Sequence, residues 1–228
     1  MQQTIDSINY KFIPNVVNFS NINKTKELMK NDVFEKYEAI VSVSGELIIC
    51  NDISKLKKPN TKIIRESYDE YLVSLEKRNP NKDQWIYNII DGISEQDSIL
   101  YKDDKFIIVP SYTWDGKTID KLQIMAIPLD KNLRTIRSLE KSHVTLLKHM
   151  RDITFKVIKD KYDLNSCYLK TFFHYEPSTY QLHIHFINTS FSELDFLSSV
   201  ERAHSLNSVI FNIGLDSDYY KKIILERR

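Results

Sequence analysis

Two histidines stand two positions apart in residues 180–186, which read YQLHIHF in a chain with 6 histidines. In a strand, successive side chains point to opposite faces of the sheet. The apolar residues of this segment would therefore share the face that packs on a core. The opposite face would carry Gln181, His183 and His185. The alternation predicts a strand whose polar face looks into solvent or into a site.

Three interpretations of the His183 and His185 pair stay open on the residues alone. Both rings could be structural, either exposed or hydrogen-bonded to neighbours. A His-x-His pair on a strand could instead bind zinc, with His174 as the third ligand and a position left open for catalysis. In the third interpretation, one imidazole attacks a phosphorus atom and forms a covalent intermediate.

The polar residues near the same hairpin end favour phosphate chemistry. The order of predicted elements can bring together a hydroxyl, an imidazole, an ammonium and a guanidinium, from Ser178, His174, Lys55 and Arg202. Such a set suits phosphate oxygens better than a metal ion. The zinc interpretation is not excluded by these spacings, and Arg202 could also form an ion pair on a helix surface.

Apolar periodicity predicts the elements that position these residues. Helical spacing occurs over residues 61–77, 85–93, 138–161 and 199–214. Ser138 is a candidate N-cap. Strand-like runs cover residues 98–101, 106–110, 121–129, 167–175, 180–188 and 219–225, with another hairpin at 38–51 that turns near Ser44 and Gly45. Because helices and strands interleave around a mainly antiparallel sheet, we expect an α+β fold.

The composition is that of an ordinary globular protein, with 42% apolar and 28% charged residues and a net charge of +1. This charge gives no general attraction to nucleic acid or membrane, so a nucleotide would need a local site. Cys50 and Cys167 lie far apart, which indicates a reducing compartment. With no signal-peptide pattern and no apolar run long enough for a bilayer, we expect a soluble intracellular protein.

Breaks in the pattern near Pro59 and Pro80 predict three parts in the 228 residues. Residues 1–52 would form a short N-terminal region, of a small α+β type. Residues 53–79 would form a connecting helical segment. Residues 80–228 would form the main domain.

Four ordered pieces of the sequence resemble the scavenger mRNA decapping enzymes of the histidine-triad (HIT) superfamily. HYEPSTYQLHIHF and the following VERAH carry the strongest likeness. Upstream, QWIYNIIDGISEQDSIL and the Ile64-Arg65-Glu66 stretch resemble the family in the same order. The likeness extends from about Lys55 to the C-terminus, and so covers most of the chain.

The resemblance implies a HIT-like catalytic domain, with an antiparallel sheet and flanking helices, over residues 80–228. It implies hydrolysis of the triphosphate bridge of 7-methylguanosine cap dinucleotides and short capped RNA fragments left by mRNA decay. The products would be 7-methylguanosine monophosphate and a nucleoside diphosphate. It further implies no metal or other cofactor, and a homodimer in which the N-terminal region is exchanged. We expect a cytoplasmic enzyme, with the nucleus left open, that acts on neither DNA nor membrane.

The resemblance also assigns roles to particular residues. His183 matches the nucleophile, whose ring attacks phosphorus if the proton on its other nitrogen is held by an acceptor. The phosphate-contacting positions match His174, Ser178, His185, Lys55, Arg202 and Gln181. They would offset the charge that develops on the phosphate oxygens.

Recognition of the base would fall to Trp85 and Glu95. The 7-methylguanine ring carries a positive charge, so an indole face attracts it more than it attracts guanine. A carboxylate can accept the N–H donors of the base edge. The alternatives are core packing for Trp85 and a solvated surface position for Glu95.

This sequence departs from the family pattern at several positions. Gln181 replaces the first triad histidine and can donate a hydrogen bond but cannot carry charge. Ser111-Tyr112-Thr113 stand where the family tends to show Asp-Leu-Lys, and Thr179 stands where a tyrosine is usual. Two other functions therefore remain open: a HIT hydrolase of dinucleoside polyphosphates without methyl preference, and a cap-binding protein without catalysis.

Overall fold

The computed structural model describes the secondary structure of residues 2–5, 8–13, 23–30, 34–40, 44–50, 62–200 and 202–227. Side chains are described for residues 62–79, 81–200 and 202–227. The chain forms two compact units, Met1–Thr61 and Lys62–Arg228. The predicted limits of the N-terminal region and of the connecting segment stay predictions.

The described residues of the first unit form a five-stranded antiparallel sheet. Its strands are β1 (Gln2–Ile5), β2 (Ile8–Ile13), β3 (Asn23–Lys30), β4 (Phe34–Ile40) and β5 (Ser44–Cys50), in the order β1-β2-β5-β4-β3. The hairpin predicted at 38–51 is confirmed by the pairing of β4 with β5. Ser44 and Gly45, predicted at its turn, already belong to β5. Lys55, a predicted phosphate contact, lies outside the described residues.

The second unit is built on a six-stranded antiparallel sheet with the order β12-β10-β11-β9-β8-β7. A separate two-stranded sheet pairs β13 with β6. The strands are β6 (Ile64–Glu66), β7 (Tyr101–Lys102), β8 (Phe106–Pro110), β9 (Gln123–Pro128), β10 (Leu169–His174), β11 (Ile184–Asn188), β12 (Ala203–Ser205) and β13 (Leu225–Arg227).

Helices flank this sheet. They are α1 (Tyr68–Glu76), α2 (Gln84–Ile90), α3 (Val144–Tyr162), α4 (Leu194–Leu197), α5 (Leu206–Leu215) and α6 (Tyr219–Lys222). Short 3-10 turns lie at Pro80–Asp83, Gln96–Ser98, Ile119–Lys121, Ile136–Ser138, Lys141–His143 and Ser166–Tyr168. The predicted α+β class, with an antiparallel sheet and flanking helices, is confirmed. Within the described residues, no helix combines the length and the apolar character needed to cross a membrane.

Alternation along the strands gives the six-stranded sheet two different faces. One face carries Ile108, Ile124, Ala126, Ile184 and Phe186, which pack in the main core with apolar residues of α3 and α5. The other face carries Ile107, Val109, Met125 and Ile127, which pack against Ile86, Ile89 and Ile90 of α2. The side chains of His183 and His185 therefore belong to the same side of the sheet as α2.

Several predicted elements differ from the observed ones because tertiary contacts override local periodicity. The helix predicted at 138–161 begins only at Val144. Ser138 is not its N-cap, because it ends the 3-10 turn Ile136–Ser138, in which its backbone N–H donates to the Thr135 carbonyl at 2.9 Å. The segment 61–77 forms β6 before α1. Ser67 and Glu70 close a capping box at the start of α1.

The C-terminal predictions were also partly wrong. The helix predicted at 199–214 is preceded by β12, because Ala203–Ser205 pair with the free edge of β10 and complete the sheet. The last strand predicted at 219–225 is instead α6 followed by β13. Arg202 therefore stands in the turn before a strand, and the helix-surface interpretation of this residue is wrong.

The buried guanidinium of Arg137 joins β6, α6 and the residue that follows β10. It donates to the Tyr175 hydroxyl at 2.8 Å, to the Tyr220 carbonyl at 2.7 Å and to the Glu66 carbonyl at 2.6 Å. The Glu66 carboxylate lies 3.8 Å away and is also buried. Because Tyr175 directly follows His174, this network fixes the end of β10 from outside the site.

Replacing Arg137 by Ala is expected to lower the free energy of unfolding by about 3–5 kcal/mol, because four buried or part-buried acceptors lose their donor and the Glu66 carboxylate loses one ion-pair partner. Denaturant unfolding followed by circular dichroism measures this loss. Arg65→Ala is the matched control, since Arg65 is an exposed arginine paired with Glu226 at 3.3 Å. Equal stability of the two variants would contradict the prediction.

Candidate active site

One row of side chains crosses one face of the six-stranded sheet, and its members Val109, Met125 and His185 line a cleft. Phe172 on β10 pairs with His185 on β11, His185 with Met125 on β9, and Met125 with Val109 on β8. The same register places His174 on the paired strand beside His183. Three imidazoles therefore meet at one end of β10 and β11.

The three histidine rings pack closely on one another. Ring centroids are 4.4 Å apart for His174 and His185, and 4.9 Å apart for His183 and His185. Phe172 stacks on His185 at 5.3 Å. A carbonyl oxygen only accepts, so His174 donates through Nε2 to the Leu197 carbonyl at 2.8 Å. Nε2 of His185 is buried and has no hydrogen-bond partner among the described residues.

His183 is held in a single tautomer. Its Nδ1–H donates to the backbone carbonyl of Gln181 at 2.7 Å, so the lone pair of the neutral ring lies on Nε2. This is the arrangement that a nucleophilic imidazole needs: one nitrogen holds its proton on an acceptor and the other is free to attack. The side chain of residue 181 takes no part in this hydrogen bond.

All three rings are kept neutral at ordinary pH. Burial lowers the pKa of His183, opposed by its hydrogen bond to Gln181. Burial, with the charge of Arg202, lowers the pKa of His174 to about 4. Burial and the neighbouring histidines lower the pKa of His185 well below its ordinary value. Within the described residues, no group of three His, Cys, Asp or Glu side chains could hold a metal ion.

The side chain of Gln181 lies away from this cleft. It is fully buried, and its Nε2 donates to the carbonyls of Pro128 at 2.8 Å and Asp130 at 3.1 Å. The strand predicted from residue 180 accordingly starts only at Ile184, and Gln181 does not share a polar face with His183. The phosphate contact predicted for the Gln181 side chain has no support from this placement.

A cleft of about 510 Å³ opens above the histidines. Of the predicted site residues, those that line it are His174, Ser178, His183, His185, Arg202, Trp85 and Glu95. Trp85 is the second residue of α2 and is 39% exposed, so core packing does not account for it. Glu95 follows α2 with a left-handed φ of 54° and lines the same cleft. The structure thus brings into one cleft the residues predicted to contact phosphate and those predicted to contact the nucleobase.

Further polar residues that line the cleft are absent from the site predicted by the sequence. Ser111, Thr113 and Gln123 line it. The hydroxyls of Ser111 and Thr113 are 2.9 Å apart, and Thr113 donates to Oε1 of Gln123 at 3.2 Å. Tyr112 between them is 76% exposed and also lines the cleft. The departure from the family pattern at 111–113 marked these positions, but it could not show that the hydroxyls bond to one another.

The chain is similar to a group of known proteins. Residues 84–199 match the family described as scavenger mRNA decapping enzyme C-term binding. The m7GpppX diphosphatase of Ascaris suum is 34% identical over 215 residues, which are 88% of this chain and 71% of that protein. The Caenorhabditis elegans protein of the same name is 32% identical, over 88% of this chain and 68% of that protein.

The human m7GpppX diphosphatase is 32% identical over 75% of this chain and 52% of its own length. The solved structure of Hnt3 in complex with DNA and guanosine is 15% identical, with a TM-score of 0.41, over 61% of this chain and 80% of that one. Fold and site define an α+β protein with a cleft floored by neutral histidines. By its sequence, the chain belongs to the scavenger mRNA decapping enzyme family.

The pKa of about 4 for His174 predicts where its ring titrates. The neutral ring should persist as the pH falls through 6.5 and become protonated only near pH 4. Because the folded-state pKa lies below the unfolded value, the protein loses stability as the pH falls from 6.5 towards 4. A ¹H–¹³C NMR titration measures the midpoint, with the signal assigned by its absence in His174→Asn. A midpoint at or above pH 6.5 would be inconsistent with this environment.

Proposed function

We propose that this chain hydrolyses the triphosphate bridge of 7-methylguanosine cap dinucleotides and short capped RNA fragments, as an m7GpppX diphosphatase. The observation that carries the proposal is the His183 ring, neutral and with its Nδ1 proton held by a carbonyl, at the floor of the cleft. Family membership and relatives named m7GpppX diphosphatase support the substrate.

In the proposed reaction, Nε2 of His183 attacks the phosphorus nearest the methylated nucleoside. The bond from that phosphorus to the bridging oxygen breaks, and the nucleoside diphosphate or short 5′-diphosphate RNA leaves. Water then attacks the same phosphorus and the N–P bond breaks. This releases 7-methylguanosine monophosphate and restores the ring, while the protons of the water pass to phosphate and solvent.

The groups around His183 suit the charge that develops in both steps. The Arg202 guanidinium and the Ser178 hydroxyl line the same cleft and can contact phosphate oxygens. His185 lines the same cleft with a ring that its surroundings keep neutral. The family resemblance adds Lys55. Because no step needs a metal, a chelator should leave the rate unchanged.

At the other end of the cleft, we propose that Trp85 stacks on the 7-methylguanine ring and Glu95 accepts its N–H donors. The half-exposed indole offers an open face to a cationic ring.

The resemblance to the decapping family supports a cytoplasmic homodimer that acts in mRNA decay, with the nucleus left open. Sedimentation at several concentrations would test the dimer.

Replacing His183 by Asn is expected to lower the rate of cap dinucleotide cleavage by about 10³-fold or more, because the nucleophile is removed while the shape of the cleft is kept. The assay uses purified protein, cap dinucleotide, a chelator and heavy-oxygen water, with products identified by mass. Heavy oxygen should enter 7-methylguanosine monophosphate.

Equal, slow cleavage by the parent protein and the His183→Asn variant, with tight cap binding by both, would favour the non-catalytic cap-binding alternative. Loss of activity in chelator, with stoichiometric metal in the protein, would restore the zinc interpretation. His149→Gln serves as the control, since the His149 ring pairs with Asp103 at 3.0 Å outside the cleft.

The preference for methylated over unmethylated dinucleotide should fall about twofold to thirtyfold in Trp85→Leu, since a cation–π contact contributes about 0.5–2 kcal/mol. The ratio of kcat/KM for the two substrates measures this preference. Trp114→Phe is the matched control, because Trp114 is buried outside the cleft. A parent protein with no methyl preference would favour the dinucleoside polyphosphate hydrolase alternative.

A further inference from the structure

The turn that carries Ser178 is held from outside the cleft by an arginine–aspartate pair. Arg78 donates from Nε to Asp83 at 3.0 Å and from Nη2 to the other carboxylate oxygen of Asp83 at 2.8 Å. The same Nη2 donates to the backbone carbonyl of Ser178 at 2.6 Å. The Asp83 carboxylate accepts the backbone N–H of Tyr180 at 2.9 Å. The guanidinium also stacks over the Tyr180 ring, 3.9 Å from its centroid.

This pair is shielded from solvent, so its interactions are weakly screened. The side chains of Arg78 and Asp83 are 15% and 1% exposed. Burial would raise the pKa of Asp83, but the hydrogen bonds from Arg78 and from the Tyr180 backbone lower it. The carboxylate therefore stays charged, and the two backbone contacts to the turn stay in place across neutral pH.

The pair also links the two halves of the cleft. Asp83 immediately precedes α2, whose second residue is Trp85. Asp83 also accepts the N–H of Tyr180, and Arg78 donates to the carbonyl of Ser178, in the segment that leads to Gln181 and His183. Neither Arg78 nor Asp83 lines the cleft itself. Any effect of these residues on a bound molecule must therefore pass through the backbone that they hold.

We infer that Arg78 and Asp83 are positioning residues that set the distance between the base-stacking Trp85 and the phosphate-facing turn at Ser178. This inference rests on the proposed function. With the pair intact, a molecule stacked on Trp85 has its phosphorus in line with Nε2 of His183. Without it, the base still binds, but the turn and the nucleophile are displaced from the attacking geometry. A displacement of about 1 Å can cost about 10²-fold in rate.

Lysine cannot replace the arginine in this arrangement. A guanidinium presents several N–H groups in one plane, so it can bridge both carboxylate oxygens and a carbonyl at once. An ammonium on Lys at position 78 would keep the charge but lose the planar fork and the stacking on Tyr180. Charge alone should therefore not restore the position of the turn.

The test compares Arg78→Ala, Arg78→Lys and Asp83→Asn with the parent protein. For each we would measure kcat and KM for cap dinucleotide, affinity for 7-methylguanosine nucleoside, and the melting temperature. We expect kcat to fall about tenfold to hundredfold in both Arg78→Ala and Arg78→Lys, and by a smaller factor in Asp83→Asn. Affinity for the nucleoside should stay within about twofold, because the base end of the cleft is intact. Arg65→Ala, exposed and remote from the cleft, should match the parent.

A melting temperature that falls while kcat stays within about twofold of the parent would overturn the inference, because the pair would then be structural only. A loss of nucleoside affinity equal to the loss in kcat would overturn it as well. Should Arg78→Ala fail to fold, Arg78→Lys decides by the same two readouts. If the parent itself does not cleave cap dinucleotide, the proposed function fails and this inference fails with it, whereas full activity in the variants removes the inference alone.

Discussion

The pairing register of β10 with β11 is the constraint on which the site depends. Phe172 opposite His185 places three imidazoles from two strands at one end of the sheet. A shift of this register by one residue would turn His185 into the main core and bring Ile184 to the cleft. The register is fixed by the large apolar residues on the opposite face, because Phe186 and Ile184 are fully buried there. The chemistry of one face is thus set by the packing of the other.

Burial explains why a cluster of histidines can serve as a nucleophilic centre. Rings so close together would repel one another if charged, and desolvation already disfavours the charged form. The backbone carbonyl of Gln181 then selects the tautomer of His183. Since every residue type provides that carbonyl, the change from histidine to glutamine at position 181 leaves this part of the arrangement intact. The Gln181 side chain instead donates hydrogen bonds to the carbonyls of Pro128 and Asp130.

Much of the fold and most of the candidate site could be predicted from local signals. The alternation around His183 and His185, with His174 on the paired strand, indicated the histidine cluster, and family likeness added Trp85 and Glu95. The strand boundary before Ile184 could not be predicted, because the Leu182 N–H bonds to the carbonyl of the distant Leu133 at 2.7 Å, outside the sheet.

The parts that sequence reasoning missed depend on contacts between distant residues. Arg78 meets Ser178 across a separation of 100 residues, and no periodicity or spacing indicates such a contact. Ser111, Thr113 and Gln123 form a polar wall only because β8 and β9 are paired. The sequence pattern predicts a helix that includes Arg202, whereas the residues that follow it form β12 by pairing with β10. In each case the deciding interaction joins different elements of the folded chain.

The different surroundings of the two tryptophans give this protein a built-in optical probe. Trp114 is enclosed, with its indole N–H bonded to the Thr118 carbonyl at 2.9 Å, whereas Trp85 is partly open at the cleft. An aromatic molecule that stacks on an indole quenches its emission, so occupancy of the cleft would dim Trp85 and leave the signal of Trp114 constant. With only 2 tryptophans in the chain, the bound fraction could be followed by intrinsic fluorescence without a label.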